Sequence, residues 1–268
     1  MNTSRWAAAD RRHPPHFERI LCAFDVEQPS PAALELARLF AERTGAALES
    51  YYANTEAPAR AILNRASVTH ADLIVLGARS RSDLGWQFRD DVVRDVSALA
   101  ECATLTVHER DSPAAVEHIL VPIDFGPATR PVIERAAALA LGFGAALQLL
   151  HVVSHHSVDE SAQLATLERD LALRGVNVSA RVIVASGAAH GIESHNQRGE
   201  FDLIVMGVSG APHSAPRLTR GVIATLRNRM SVPLLSVREA PLDSSRPHAK
   251  SAIIEQRLEA GARVELSA

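Results

Sequence analysis

A chain that repeats its own hydrophobic segments, in order and at fixed offsets, can be built only from two units of one fold. In these 268 residues, Ile20-Leu-Cys-Ala-Phe-Asp25 returns 99 positions later as Ile119-Leu-Val-Pro-Ile-Asp124. Asp72-Leu-Ile-Val-Leu-Gly77 returns 130 positions later as Asp202-Leu-Ile-Val-Met-Gly207, and Leu105-Thr-Val107 returns as Leu235-Ser-Val237 at the same offset. The second copy therefore carries 31 more residues between its first two landmarks.

The runs are short and almost wholly apolar, as strands covered on both faces of a parallel sheet must be. In copy one, strand Ile20–Phe24 is followed by Ser30-Pro31, an N-cap and a first-turn proline, and then by a helical spacing of apolar residues closed at Gly45. Strand Ala47–Tyr52, helix Ala59–Ser67, strand Leu73–Leu76, helix Val92–Ala100 and strand Leu105–Val107 complete it. Copy two repeats the order through Ile119–Ile123, Val132–Leu141, Ala146–Val153, Leu203–Met206, Leu218–Met230 and Leu234–Val237. Its additions are a helix near Asp159–Leu173 and a strand at Val178–Val184, followed by a short helix, Gly191–Asn196. Strands alternating with helices give an α/β class with two doubly wound parallel sheets, five strands in copy two and about four in copy one. The expected division is an N-terminal arm 1–16, a truncated domain 17–108, a linker 109–116, a complete domain 117–238 and a tail 239–268. In the tail, Ala252–Leu258 reads as a short amphipathic helix or as a frayed end.

A formal charge of −3 opposes a nucleic-acid partner held by a basic surface. No apolar stretch reaches membrane-spanning length, and residues 1–16 lack the apolar run of a signal peptide. The two cysteines, Cys22 and Cys102, lie in or beside apolar segments and read as reduced, buried thiols. The expected location is cytoplasmic.

Val121-Pro-Ile-Asp124, Asp202-Leu-Ile-Val-Met-Gly207 and Pro233-Leu-Leu-Ser-Val237 resemble the universal stress protein family, and the resemblance extends over both copies from Phe17 to Arg238. It implies a tandem universal stress protein with an adenine-nucleotide α-hydrolase-like sheet of order 3-2-1-4-5. It also implies stress tolerance by binding and regulation, with ATP bound by some members and not by others. By the same resemblance the final strands, Leu105–Val107 and Leu234–Val237, pair antiparallel and the copies form an intramolecular pseudo-dimer. A homodimer of chains and unknown protein partners remain open.

In ATP-binding members the strand-four glycine opens a Gly-x2-Gly-x9-Gly-Ser/Thr motif, whose glycines let backbone amides approach phosphates. The matching candidates in copy two are Pro122 and Asp124 after strand one, Val153, Gly207, Gly210 and Gly221, with Arg217 and Arg220 as substitute phosphate ligands. Ten residues, Ala211–Arg220, stand where the motif has nine, and Val222 replaces the hydroxyl. One added residue rotates a helix start by about 100° unless the loop absorbs it. Two readings follow: a retired loop on an intact scaffold, or a single degenerate site for ATP with magnesium. In copy one, Gly77 is kept, but Ser80 replaces the second glycine, and Asp90 and Asp91 stand where a triphosphate would rest. Like charges oppose binding there, offset only partly by Arg79 and Arg81, and Asp25 alone reads as a loop residue. Copy one is expected not to bind ATP.

The missing unit leaves strand Ala47–Tyr52 at a sheet edge that the arm, the tail or a partner subunit would cover. His151, His155, His156, His190, His195 and His213 cluster in copy two. They read as solvated loop histidines before they read as metal ligands, so no metal site is expected. The nearby serines Ser154, Ser186 and Ser194 lack the Gly-x-Ser-x-Gly elbow of a hydrolase. Trp86 and Phe88 are expected to pack against the second copy, and Arg94, Arg227 and Arg229 to be solvated helix charges. Besides regulation by binding, a weak ATPase or ATP-dependent switch and a metal-binding or purely protein-interacting module remain alternatives, and no catalytic residue stands out.

Overall fold

The structure, a computed structural model, describes residues 17–24, 30–78, 90–108, 115–155, 158–197, 200–208 and 217–238, with the side chains of residues 90 and 217–220 excepted. Asp25, Arg79, Ser80, Arg81, Trp86, Phe88, His156, Gly210, the Ala211–Pro216 stretch with His213, the arm and the tail all lie outside the described residues.

The first copy runs β1 (Arg19–Phe24), α1 (Pro31–Thr44), β2 (Ala47–Tyr52), α2 (Pro58–Thr69), β3 (Leu73–Ala78), α3 (Asp90–Leu99) and β4 (Ala103–His108). The second runs β5 (His118–Ile123), α4 (Thr129–Phe143), β6 (Ala146–Val153), α5 (Val158–Leu173), β7 (Val178–Val184), α6 (Ala188–His195), β8 (Leu203–Val208), α7 (Arg217–Arg229) and β9 (Leu234–Arg238). The cap chemistry at α1 is as the sequence indicates. Ser30 Oγ accepts from the Ala33 N–H at 3.3 Å, and Gly45 closes the helix at φ 73°. That left-handed conformation costs a glycine nothing.

The nine strands of the described residues join one sheet in the order β2-β1-β3-β4-β9-β8-β5-β6-β7. The second copy has the 3-2-1-4-5 order in its own numbering, and the first has the same order without its outermost strand. β4 and β9 run antiparallel, with Thr104 opposite Ser236 and Leu105 opposite Leu235, while every other ladder is parallel. One face of the sheet carries a continuous core that crosses the junction, built from α1, α4 and α5. The opposite face has two separate cores, one under α2 and α3 and one under α6 and α7.

The junction is closed by a clasp that obeys the 130-residue offset. His108, last in β4, bonds through Nε2 to the Arg227 carbonyl on α7 at 2.8 Å. Arg238, last in β9, donates from Nη2 to the Ala98 and Ser97 carbonyls on α3, at 2.8 and 3.4 Å. Each copy thus satisfies carbonyls near a helix C-terminus in the other, where backbone acceptors would otherwise lack partners. Arg135 of α4 is also buried at this junction, its guanidinium 4.3 Å above the Phe17 ring. Burial pushes its pKa down, and its Nη1 has no hydrogen-bond partner among the described residues.

The repeated aspartate of the Asp-Leu-Ile-Val segments has a structural task. Asp72 accepts from the Glu18 and Arg19 N–H groups at 2.7 and 3.2 Å, one with each carboxylate oxygen. Asp202 accepts from the Glu117 and His118 N–H groups, both at 2.9 Å and both with Oδ2. Each ties the start of a copy's first strand to the strand beside it. Asp72→Ala and Asp202→Ala are each expected to cost about 1 kcal/mol, the low end for stranded donors because water reaches these amides. Asp202→Asn should recover most of that loss and Asp72→Asn only part, since Asn keeps one acceptor oxygen. Urea unfolding of the four variants checks this, and equal losses for both Asn variants would refute it.

Cys22 and Cys102 are free thiols. Burial raises both pKa values, that of Cys102 to about 12, with Asp72 adding to the shift. A raised folded-state pKa stabilises the fold below the ordinary thiol value and loses that contribution as pH climbs above it. Stability should therefore fall as pH rises from about 9 towards 12. Native protein at pH 8 should be alkylated by iodoacetamide at far below one thiol per chain, which mass spectrometry reads directly.

Candidate functional site

In an open α/β sheet, ligands sit beyond the carboxyl ends of the strands where the winding reverses. In the second copy that point lies between β5 and β8. The β5–β6 ladder runs the full strand, to Ile123 opposite His151. The β5–β8 ladder ends after two pairs, at Leu120 opposite Ile204. Pro122, two residues on, has no N–H to extend the ladder. In the first copy the equivalent position is Ala23, and the β1–β3 ladder continues through Ala23 opposite Leu76. The β5–β8 ladder is thus two pairs shorter than its counterpart in the first copy.

Four of the expected site residues meet at this edge: Pro122 on β5, Asp124 just beyond it, Val153 at the end of β6 and Gly207 near the end of β8. Asp124 is exposed, and its Oδ1 accepts from the Gly126 N–H at 2.9 Å. A carboxylate has acceptor sites to spare beyond that bond. Phe125, between them, holds φ 56°, a left-handed conformation that costs a side-chain-bearing residue about 1–2 kcal/mol. Its ring meets His151 edge-on, centroids 4.8 Å apart.

Gly207 serves packing. A Cβ built there would lie 2.7 Å from the Ala128 Cβ and 3.0 Å from Val132 Cγ2, so the glycine lets the start of α4 lie against β8. Gly77 does the same for Ser30 in the first copy. The helix starts differ, however. Ser30 caps α1, whereas Ala128 gives α4 no side-chain cap, and Thr129 Oγ1 is buried without a hydrogen-bond partner among the described residues.

The remaining candidates lie on α7 or outside the described residues. Arg217 and Arg220 are in its first turn and Gly221 follows, exposed, with nothing among the described residues within 4 Å of a Cβ built there. Val222, where a hydroxyl was expected, packs against the core formed by Leu120, Leu150 and Ile192. Apolar burial accounts for that departure from the motif. Asp91 is exposed on α3, its charge paired with Arg94 at 3.0 Å. Arg94 also pairs with Asp95, and Arg229 with Glu193.

The histidines need correcting. His151 is not a solvated loop residue: it lies on β6, 6% exposed, and its Nδ1–H donates to the Ile123 carbonyl at 2.8 Å. Its Nε2 is 3.7 Å from Glu160 Oε1, beyond hydrogen-bond reach. His190 and His195 belong to α6, and His195 bonds to the Gln148 side chain. Burial, then Arg181, lowers the His195 pKa. The expected strand Ala146–Val153 already held His151, but spacing along the chain carries no sign of the Ile123 carbonyl that meets it. Among the described residues no group of three or more His, Cys, Asp or Glu side chains is placed to hold a metal ion.

Strands parallel within each copy, with helices on both faces of the sheet, define a doubly wound α/β class. Residues 115–238 match the universal stress protein family, and this part of the chain is a universal stress protein domain. The whole chain is similar in fold to a universal stress protein from Archaeoglobus fulgidus DSM 4304, at 17% identity and TM-score 0.60, covering 82% of this chain and 88% of that one. It is also similar to a functionally unknown protein from Pseudomonas aeruginosa PAO1, at 15% identity and TM-score 0.58 over 92% and 98% of the two chains. A putative universal stress protein from Pseudomonas aeruginosa UCBPP-PA14 matches at 15% identity and TM-score 0.57, over 91% and 99%. No curated protein matches the sequence. Among the described residues no helix is long and apolar enough to cross a membrane.

Proposed function

We propose that the chain is a cytoplasmic stress-response protein that acts by binding, with one adenine-nucleotide site in its second half and no turnover of its own. The observation that carries this reading is the asymmetry of the two switch points: the β5–β8 ladder ends at Leu120, two residues before Pro122, while the β1–β3 ladder continues through Ala23. ATP with magnesium would enter between β5 and β8, with Asp124 accepting hydrogen bonds from the nucleoside. Arg217 and Arg220 on α7 are assigned to the phosphates in place of the altered glycine motif. Gly207 contributes by bringing α4 against β8, and Val153 lines the neighbouring strand end. The first half, residues 17–108, would be the structural partner of residues 117–238 in an intramolecular pseudo-dimer.

Calorimetric titration of magnesium-ATP into the nucleotide-free chain tests this. One site per chain is expected, lost in Asp124→Ala and weakened several-fold in Pro122→Ala, where a restored N–H can donate to β8 in place of the ligand. Phosphate release measured on the same samples should stay at background. Two sites per chain, or no heat at millimolar ligand, would sink the reading. Steady phosphate release abolished by Asp124→Ala would replace it with an ATPase.

A further inference from the structure

Asp124 stands between two residues that one side chain touches. Ile123 precedes it, and the Ile123 carbonyl accepts from His151 Nδ1–H at 2.8 Å. Phe125 follows it, and its ring meets the His151 ring edge-on, centroids 4.8 Å apart. His151 reaches both because the ladder sets it directly opposite Ile123, at the carboxyl end of β6. A carbonyl can only accept, so this bond fixes the proton of the neutral imidazole on Nδ1. The ring is 6% exposed, and its orientation is set by these contacts instead of by solvent. Its Nε2 is buried without a hydrogen-bond partner among the described residues, with Glu160 Oε1 3.7 Å away.

Asp124 needs such support. Its side chain is exposed and is tied to its own loop by the Gly126 N–H, which donates to Oδ1 at 2.9 Å. That turn carries Phe125 at φ 56°, a region a side-chain-bearing residue keeps only when its surroundings hold it there. The first copy lacks the brace. Tyr52 stands at the His151 position, 99 residues earlier, and is 56% exposed. The Phe24 carbonyl, equivalent to that of Ile123, accepts the Ala53 backbone N–H at 3.1 Å. Tyr52 lies against the Phe24 ring, centroids 5.5 Å apart. The same register gives a ring contact in one copy and a side-chain hydrogen bond to the strand end in the other.

We propose that His151 is the positioning residue of Asp124: by holding Ile123 and Phe125 it fixes the backbone on both sides of the aspartate and so aims its carboxylate beyond the strand ends. That the ligand so served is an adenine nucleotide rests on the reading given under Proposed function. His151 acts through Asp124, and its contribution is preorganisation, a carboxylate already in place when the ligand arrives.

Two substitutions in the full-length chain separate the bond from the volume. In His151→Asn the side-chain amide takes the place of Nδ1–H and can still donate to Ile123; in His151→Leu the site stays filled and nothing donates. Calorimetric titration of magnesium-ATP should show affinity about tenfold weaker than the parent for His151→Leu, the worth of one hydrogen bond, and within about threefold of it for His151→Asn. A histidine that only fills the core would give another pattern, with urea midpoints lowered in both variants and the affinity of the folded chain unchanged. A second measurement needs no nucleotide. The solvent exchange of the Gly126 N–H, read by NMR, should quicken several-fold in His151→Leu and stay near the parent rate in His151→Asn. In either measurement, a His151→Leu chain that matches the parent, or one on which His151→Asn does not improve, would overturn the proposal. A parent chain that binds no ATP would sink the proposed function alone, and the Gly126 exchange would then decide whether His151 braces Asp124.

Discussion

Phe40→Ala is expected to lower stability by about 3–5 kcal/mol, the range for emptying a buried aromatic site. Phe40 is fully buried on α1 and touches Phe17 of its own copy and Phe143 of α4 in the other, with ring centroids 6.1 and 5.1 Å apart. It therefore holds the core where that core crosses from one copy to the next. At roughly 2–4 °C per kcal/mol for a chain of this size, the melting temperature should drop by about 10 °C. A double-mutant cycle with Phe143→Ala should give a coupling of about 0.5–1.5 kcal/mol for the edge-on pair. A loss below 1 kcal/mol for Phe40→Ala, or zero coupling, would mean the copies do not stabilise each other through this contact.

Gly77→Val is the second large effect. A Cβ at Gly77 would lie 2.5 Å from the Ser30 Cβ and 2.7 Å from its Oγ, and Ser30 is itself buried and caps α1. The side chain must displace the cap as well as crowd the core. Overpacking of about 1–3 kcal/mol and cap loss of about 1 kcal/mol together predict a destabilisation near 3 kcal/mol. Gly221→Ala is the control, because a Cβ there meets nothing within 4 Å and the residue lies inside α7. It should gain about 0.5–1 kcal/mol, as a helical glycine replaced by alanine does. Urea midpoints for the two variants should move in opposite directions; a shift in the same direction would show that the glycines share one role.

These two glycines show where motif reading stops. Gly77 opens the glycine motif of copy one and Gly221 is its third glycine in copy two, yet one is a contact between β3 and the start of α1, and the other is an exposed helix position. The aspartates divide the same way. Asp72 and Asp202 look like part of a strand motif, but their carboxylates bind amides of a segment more than fifty residues away in one case and more than eighty in the other. Asp124, by contrast, sits where its position after a first strand places it, exposed at the carboxyl edge. Local spacing reports an element's end; it carries no information on which distant backbone arrives there.

What the sequence determined by itself was the repeat, the alternation of strands and helices, the helix caps at Ser30 and Gly45, and the missing unit of the first copy. All of these depend on neighbouring residues along the chain, through periodicity, capping and turn conformation. What only the tertiary structure decided was the register of the junction, the clasp of His108 and Arg238, the packing task of Gly207 and Val222, and the short β5–β8 ladder ahead of Pro122. Each of these is an encounter between segments far apart in sequence, and its outcome is set by which surfaces the nine-stranded sheet brings face to face.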